Sequence, residues 1–214
     1  MPIVLHKIID AATEFAVWKI EEPAHLLYSK LQLDEGEKSV YQSLSKGKRE
    51  LHWLGSRVLL RTLINTQDYI KTGIDEHNKP FLVNFPHYFS LSHSFDYAAV
   101  MISQTNRVGI DIEEIKEKIE RVVNKFLSEK EQAFIDPSHR IHHLYACWAA
   151  KEALYKMYGK KGLNFIEGII LDSFPYSMDG GVISARILMP DTPEPLTVNY
   201  FEFEDYMVAY VKED

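Results

Sequence analysis

The chain has 214 residues, a formal net charge of −7, 46% hydrophobic and 12% aromatic content, and a single cysteine. That is enough apolar material for one large domain or two small ones with a real core, while the acidic balance argues against a general nucleic-acid binder, which needs a basic surface. Cys147 alone excludes an internal disulfide and fits a reducing compartment; no run approaches the roughly 18 apolar residues of a membrane span, and the start lacks the basic-then-apolar layout of a signal peptide, so a cytoplasmic protein without a membrane segment is expected.

Taken in order, residues 2–9 and 13–20 are rich in Ile, Val, Phe and Trp and predict two strands, with Asp10-Ala11-Ala12 as the turn. Pro23 opens a short helix to about Leu31. Asp34 with Glu37 three residues on has capping-box spacing and starts another. Lys46 to Thr66 is the strongest helix of the first half, because Leu51, Leu54, Val58, Leu59 and Leu63 recur at helical spacing. His77-Asn78-Lys79-Pro80 makes a loop before a strand at 81–83. Strands follow at 89–94, 97–103 and 108–113. Residues 115–135 read as helical with a break at 127–129, and Pro137 bounds a long helix to Tyr158, ended by Gly159 and Gly162. The remainder is mostly strand, at 166–172, 182–188, 196–203 and 206–211, with Asp179-Gly180-Gly181 as a hairpin turn and a loop at Pro190, Pro193 and Pro195.

Asp96-Tyr97-Ala98-Ala99-Val100 echoes Asp205-Tyr206-Met207-Val208-Ala209, and each copy closes a half in which a helical segment precedes strands. The expected fold is therefore α+β: two similar, pseudo-duplicated α/β lobes, 1–105 and 106–214, each with a long helix packed on a mainly antiparallel sheet.

Two stretches carry the chemistry. In the strand 108–113, Asp111 and Glu113 project to one face and Ile110 and Ile112 to the other. In the long helix, Trp148, Glu152 and Lys156 form one row. A solvated edge strand and a surface Glu–Lys pair are the ordinary fates of such residues. Trp148 on the same row points instead to partial burial, where an unpaired charge is costly. If helix meets strand, three carboxylates gather with a lysine beside them. Three hard oxygen ligands suit Mg²⁺, and the lysine would hold a phosphate.

In this order and spacing the two stretches resemble the signature of the phosphopantetheinyl transferase superfamily, in its long, two-lobed, surfactin-synthetase-activating type. That signature is Gly-Ile-Asp-x-Glu on a strand and Trp-x-x-Lys-Glu-Ala/Ser-x-x-Lys on a helix. Further pieces fall in family order: Asn78-Lys79-Pro80 for Gly-Lys-Pro, residues 89–94 for Asn/Ser-x-Ser-His-Ser, Phe126 to Glu131 for Phe-Phe-Ser-x-x-Glu, and Lys161-Gly162-Leu163. The resemblance covers roughly residues 46–165.

The resemblance implies an active site between the lobes. There a carrier-protein serine attacks the β-phosphorus of coenzyme A, the phosphopantetheine arm moves to the serine, and adenosine 3′,5′-bisphosphate leaves. Asp111, Glu113 and Glu152 are implied as Mg²⁺ ligands, with Glu113 direct or through water. Glu152 and Glu131 are both candidates for the base, and Lys156 for the pyrophosphate contact. Lys79 and Pro80 would line the adenine site and Ser92 and His93 bind phosphate oxygens. Arg49 and Arg57 are chosen for the 3′-phosphate, with Lys46, Lys48, His52 and Arg61 as rivals. The first lobe would thus supply adenine and phosphate contacts, and the second the metal site and the docking surface for an apo acyl or peptidyl carrier protein. Lys116, Lys118, Arg121, Lys125 and Lys130 would form that surface, with apolar help from Phe126 and Leu127. A monomer is expected.

Two other functions use the same residues: a Mg²⁺-dependent phosphohydrolase of a nucleotide-like ligand, and a non-catalytic carrier- or coenzyme A-binding module. His139, His142 and His143 invite a zinc site, but no fitting carboxylate or cysteine accompanies them, and a solvated helix face is the preferred reading. Cys147, beside Trp148, is expected to pack rather than react.

Overall fold

The computed structural model describes residues 3–189, 192 and 195–213, which form two compact units, Met1–Thr105 and Asn106–Asp214. Both combine helix with antiparallel sheet. Of the proline-marked loop, Pro190 and Pro193 lie outside the described residues.

In the first unit, β1 (Ile3–Asp10) and β2 (Thr13–Lys19) form the expected hairpin. Asp10 closes the turn by accepting the amide of Ala12 at 2.8 Å. Short helix α1 (Ala24–Tyr28) precedes α2 (Glu35–Ser43), which carries the anticipated capping box between Asp34 and Glu37. The long helix α3 (Lys48–Ile64) buries Leu54, Val58, Leu59 and Leu63. They pack on Ala16 and Trp18 of β2 and on Ala98, Val100 and Ile102 of β6 (Tyr97–Ser103). With β5 (Tyr88–Ser94) these strands make one sheet in the order β1-β2-β6-β5.

A separate small hairpin joins β3 (Thr72–Ile74) to β4 (Pro80–Leu82). The sequence did not reveal β3, which is three residues long with glycine at its centre. Gly73 stands opposite Phe81, whose ring covers it; a Cβ there would lie 2.5 Å from the ring. Between the two strands, Asn78 takes φ +68°. Asparagine tolerates this left-handed conformation better than most residues, so Asn78 fills a position suited to glycine.

The second unit begins with β7 (Val108–Glu114) and ends with β8 (Ile169–Leu171), β9 (Gly181–Ile187), β10 (Leu196–Phe203) and β11 (Tyr206–Lys212), in the sheet order β7-β11-β10-β9-β8. Helix α5 (Arg140–Tyr158) lies on this sheet, with Leu144, Ala146, Ala149, Ala150, Ala153 and Leu154 fully buried. It stops at Gly159, φ +72°.

The segment 115–135 departs from expectation. Glu117–Lys125 is a 3₁₀ stretch, and only α4 (Glu129–Gln132), capped by Ser128, is α-helical. Ile119, Val122 and Val123 are β-branched and weak helix formers, and only Ile119 and Val123 are buried. The strand expected at 166–172 is confined to Ile169–Leu171.

The two units repeat one plan: strand, long helix, then a closing hairpin whose last strand pairs with the strand that precedes the helical segment, β6 with β2 and β11 with β7. Both closing turns have a left-handed first residue, Phe95 at φ +49° and Glu204 at φ +52°. In both, the next aspartate's carbonyl accepts an amide from just beyond the neighbouring strand. Ile20 donates to Asp96 at 2.7 Å and Ile115 to Asp205 at 2.9 Å.

One glycine sets the spacing of helix and strand in the second unit. A Cβ on Gly109 would lie 1.9 Å from the carbonyl oxygen of Ala153 and 3.0 Å from the Cβ of Met157. Backbone therefore packs against backbone at this point, with Ala149, Ala150 and Ala153 keeping the helix side small. Gly109→Ala is expected to cost about 2 kcal/mol or more through overpacking, seen as a lowered urea midpoint; an unchanged midpoint would show that helix and strand separate freely.

Candidate active site

Because α5 comes so close to β7, polar groups on the facing surfaces meet. Asp111 is 2% exposed on β7 and receives the Lys156 ammonium at 2.6 Å on Oδ1. The same ammonium donates to the carbonyl of Ile110 at 3.3 Å. One strand pleat further on, Glu113 Oε1 accepts the indole N–H of Trp148 at 3.2 Å. The two ends of the Trp148–Glu152–Lys156 row thus each hold one of the two strand carboxylates. Trp148 is itself held by Phe126, edge-on at 5.0 Å, and by Phe165, stacked at 5.7 Å.

Glu152 and Glu113 both feel the charge of Asp111. Burial pushes Glu152 up to about 7, and the negative charge of Asp111 adds to it, with Lys156 opposing. Glu113 is also raised, by burial first and by Asp111 second, against the hydrogen bond from Trp148. Three carboxylates supply hard oxygen donors, a set whose chemistry fits a hard divalent cation. Among the described residues, no three His, Cys, Asp or Glu side chains already converge as a ready-made cage.

Glu131 is placed differently. Its Oε1 accepts the amide of Leu171 at 3.0 Å and pairs with the Lys151 ammonium at 2.7 Å. Its Oε2 accepts both the amide and the hydroxyl of Ser128, at 2.9 and 2.8 Å. Lys151, wholly buried, also donates to the carbonyls of Phe165 and Ile169 at 2.7 and 2.8 Å. Burial lowers the Lys151 ammonium, with Glu131 opposing. The pair ties segments 128–131 and 165–171 to α5. Sequence inspection missed Lys151. Its neighbour Glu152 lies about 100° round the helix, and only the burial of the Lys151 position reveals its role.

In the first unit, Ser92 is buried and His93 exposed at the end of β5. The His93 ring stacks on His52 of α3, centroids 4.3 Å apart, and His52 Nε2 bonds the carbonyl of Phe95 at 2.7 Å. Lys48 pairs with Asp96 at 3.3 Å, beside them. Asp75 accepts the amides of His77 and Lys79, each at 2.8 Å, and so shapes the turn that presents Lys79 and Pro80. Arg49 is exposed. Arg57 instead sits over the Trp53 ring, its guanidinium carbon 3.6 Å from the centroid, and burial lowers it to about 10. Lys46 is engaged by Glu50 at 2.8 Å, and Arg61 by the carbonyls of Gln67 and Asp68 at 2.5 and 2.9 Å.

Two expectations need correction. Phe126 and Leu127 are 0% and 1% exposed, so they belong to the core and offer no apolar docking surface. Lys116, Lys118, Arg121, Lys125 and Lys130 are all exposed, and Lys116 also pairs with Glu114. The three histidines do not share a solvated face. His143 is fully buried among Phe134, Phe174 and Tyr176, accepts the Asp136 amide at 3.0 Å, and is lowered by burial to about 4. His139 and His142 pair with Asp136 and Glu202. Cys147 packs as expected, and burial pushes its thiol up.

A buried acidic strand facing a lysine-bearing helix on an α+β scaffold is suited to holding a phosphate with a divalent cation. The model of the 4′-phosphopantetheinyl transferase superfamily matches residues 107–211, the unit that contains this arrangement. The 4′-phosphopantetheinyl transferase AcpT of Salmonella typhi is 32% identical over 159 residues, covering 72% of this chain and 82% of the relative. A 4′-phosphopantetheinyl transferase of Bacillus subtilis is 30% identical over 146 residues, 65% of this chain and 62% of the relative. The 4′-phosphopantetheinyl transferase Sfp of Bacillus subtilis strain 168 is 28% identical over 158 residues, 69% and 66%. The chain belongs to the 4′-phosphopantetheinyl transferase superfamily.

A pH prediction follows from Glu152. Its folded-state value of about 7 stands above the ordinary 4.5, so the folded protein binds the proton more tightly than the unfolded chain. Its contribution is favourable below 4.5, and stability is lost as pH rises from there through 7. In chelator, Glu152→Gln is expected to flatten that part of the stability profile and to gain on the order of 2 kcal/mol at pH 8. An unchanged slope in denaturant titrations across this range would contradict the assignment.

Proposed function

We propose that this chain transfers the phosphopantetheine arm of coenzyme A to a serine of an apo acyl or peptidyl carrier protein, releasing adenosine 3′,5′-bisphosphate. The observation that carries this is the meeting of the acidic pair Asp111 and Glu113 with the Trp148–Glu152–Lys156 row, on the unit that the family model matches. The relatives described above, each a 4′-phosphopantetheinyl transferase, support the same activity.

In this reading Asp111 and Glu113 hold Mg²⁺, with Glu152 beside them. When bound, the ion neutralises charge on the phosphate oxygens. Lys156 adds a second positive charge at the pyrophosphate. A bond forms from the serine oxygen to the β-phosphorus as the anhydride bond breaks, and the serine proton passes to a base. Glu152 suits that role better than Glu131. Its value of about 7 lies near working pH, whereas both Glu131 oxygens are committed to internal partners. In the first unit we assign Lys79 and Pro80 to adenine and Ser92 and His93 to phosphate. Arg49, being exposed, is preferred to Arg57 for the 3′-phosphate. Exposed Lys118, Arg121, Lys125 and Lys130 offer local positive charge to an acidic carrier, which the net charge of −7 would otherwise repel. Both lobes come in one chain, which favours a monomer, and a lone buried cysteine fits the cytoplasm.

The test is to incubate the protein with coenzyme A, Mg²⁺ and apo carrier proteins and to weigh the carrier. The expected result is a mass gain of one phosphopantetheine arm, reduced at least about a hundredfold in rate by Asp111→Ala. Cleavage of coenzyme A without carrier modification would favour a phosphohydrolase. Full activity of folded Asp111→Ala at saturating Mg²⁺ would refute the metal assignment.

A further inference from the structure

We propose that Lys156 is a built-in counter-ion of the metal site: it neutralises Asp111 until a divalent cation takes its place, and is thereby released to receive a phosphate. The inference rests on the functional reading above and deepens it, because it makes metal and phosphate binding interdependent. The carboxylate assigned to the metal already holds a cation, the Lys156 ammonium at 2.6 Å from Oδ1. The carboxylate is 3% exposed, and a buried charge of this kind is expensive without a partner. The lysine side chain is 26% exposed, so its flexible stem has a route outward that the carboxylate lacks. Its second contact, to the Ile110 carbonyl at 3.3 Å, is long and weak. A divalent cation and an ammonium held by the two oxygens of one buried carboxylate lie a few ångströms apart and repel each other strongly. Entry of the metal therefore turns Lys156 away from Asp111, and a phosphate supplies the anion that the displaced ammonium then lacks. Each ligand raises the affinity for the other.

Mn²⁺ binding, read from the electron paramagnetic resonance signal of the free ion, tests this with and without inorganic pyrophosphate. Circular dichroism checks that each variant is folded. Lys156→Met is expected to bind Mn²⁺ on the order of tenfold more tightly than wild type without pyrophosphate, the worth of one charge-assisted contact, and to gain less from pyrophosphate. Lys156→Arg, which keeps the charge, should stay near wild type. If wild type shows no Mn²⁺ binding that Asp111→Ala removes, the metal reading itself falls, and this inference with it. If that binding is present but Lys156→Met binds no more tightly, or Lys156→Arg tightens equally, the counter-ion role alone is overturned. Should Lys156→Met not fold, the wild-type Lys156 ammonium resonance decides. It should shift on addition of Mg²⁺, and an unmoved resonance at saturating Mg²⁺ would refute the displacement.

Discussion

The second unit depends on the close packing of α5 against β7 at Gly109. There the helix backbone sits where a side chain would otherwise stand. This single constraint brings the carboxylate of Asp111 within reach of Lys156 and that of Glu113 within reach of Trp148. It also removes the site from water, so that the charges perturb one another: Glu152 rises to about 7 and Glu113 is raised as well. A larger residue at Gly109 would widen the gap and weaken all of these interactions together. The glycine of the Gly-Ile-Asp run is therefore as much a part of the site as the acids that follow it.

Two adjacent residues of α5 divide the remaining work. Lys151 points into the core and, with Glu131, binds three segments through satisfied hydrogen bonds. Glu152, next in sequence, joins the acidic group. Removing one partner of such a buried pair exposes the other to the full desolvation penalty. The pair therefore ties the backbone at Ser128, Phe165, Ile169 and Leu171 to α5. The first unit shows by contrast what the plan looks like without this chemistry. Strand pairing places Lys19 opposite Tyr97 as Glu114 stands opposite Tyr206, so Ala16 and Trp18 hold the register positions of Asp111 and Glu113. The repeated scaffold became acidic in one copy only.

Much of this was legible in the sequence, because it rests on local periodicity. The alternation of β7, the four-residue spacing on α5, the capping box at Asp34 and the hairpin echo at Asp96 and Asp205 all appear in the fold. What was illegible depends on tertiary burial. Phe126 and Leu127 look like surface apolar residues in a charged stretch, yet they are core. His143 shares α5 with half-exposed His142 and closely follows exposed His139, but faces Phe174 and Tyr176. Arg57 reads as one more basic residue on a helix face, and only the structure shows it lying on Trp53. Strand β3 is too short, and interrupted by Gly73, to announce itself. Conversely, Asn78 departs from the family's glycine in sequence and fits it in conformation, with φ +68°.

The central claim is that the β7 carboxylates and the α5 row form one metal-and-phosphate site. Anomalous diffraction from crystals grown with Mn²⁺ and coenzyme A addresses it directly. The predicted result is a manganese peak within coordination distance of Asp111, with Glu113 and Glu152 around it and the Lys156 ammonium on a pyrophosphate oxygen. A manganese peak elsewhere, with the Lys156–Asp111 pair intact beside bound coenzyme A, would contradict it.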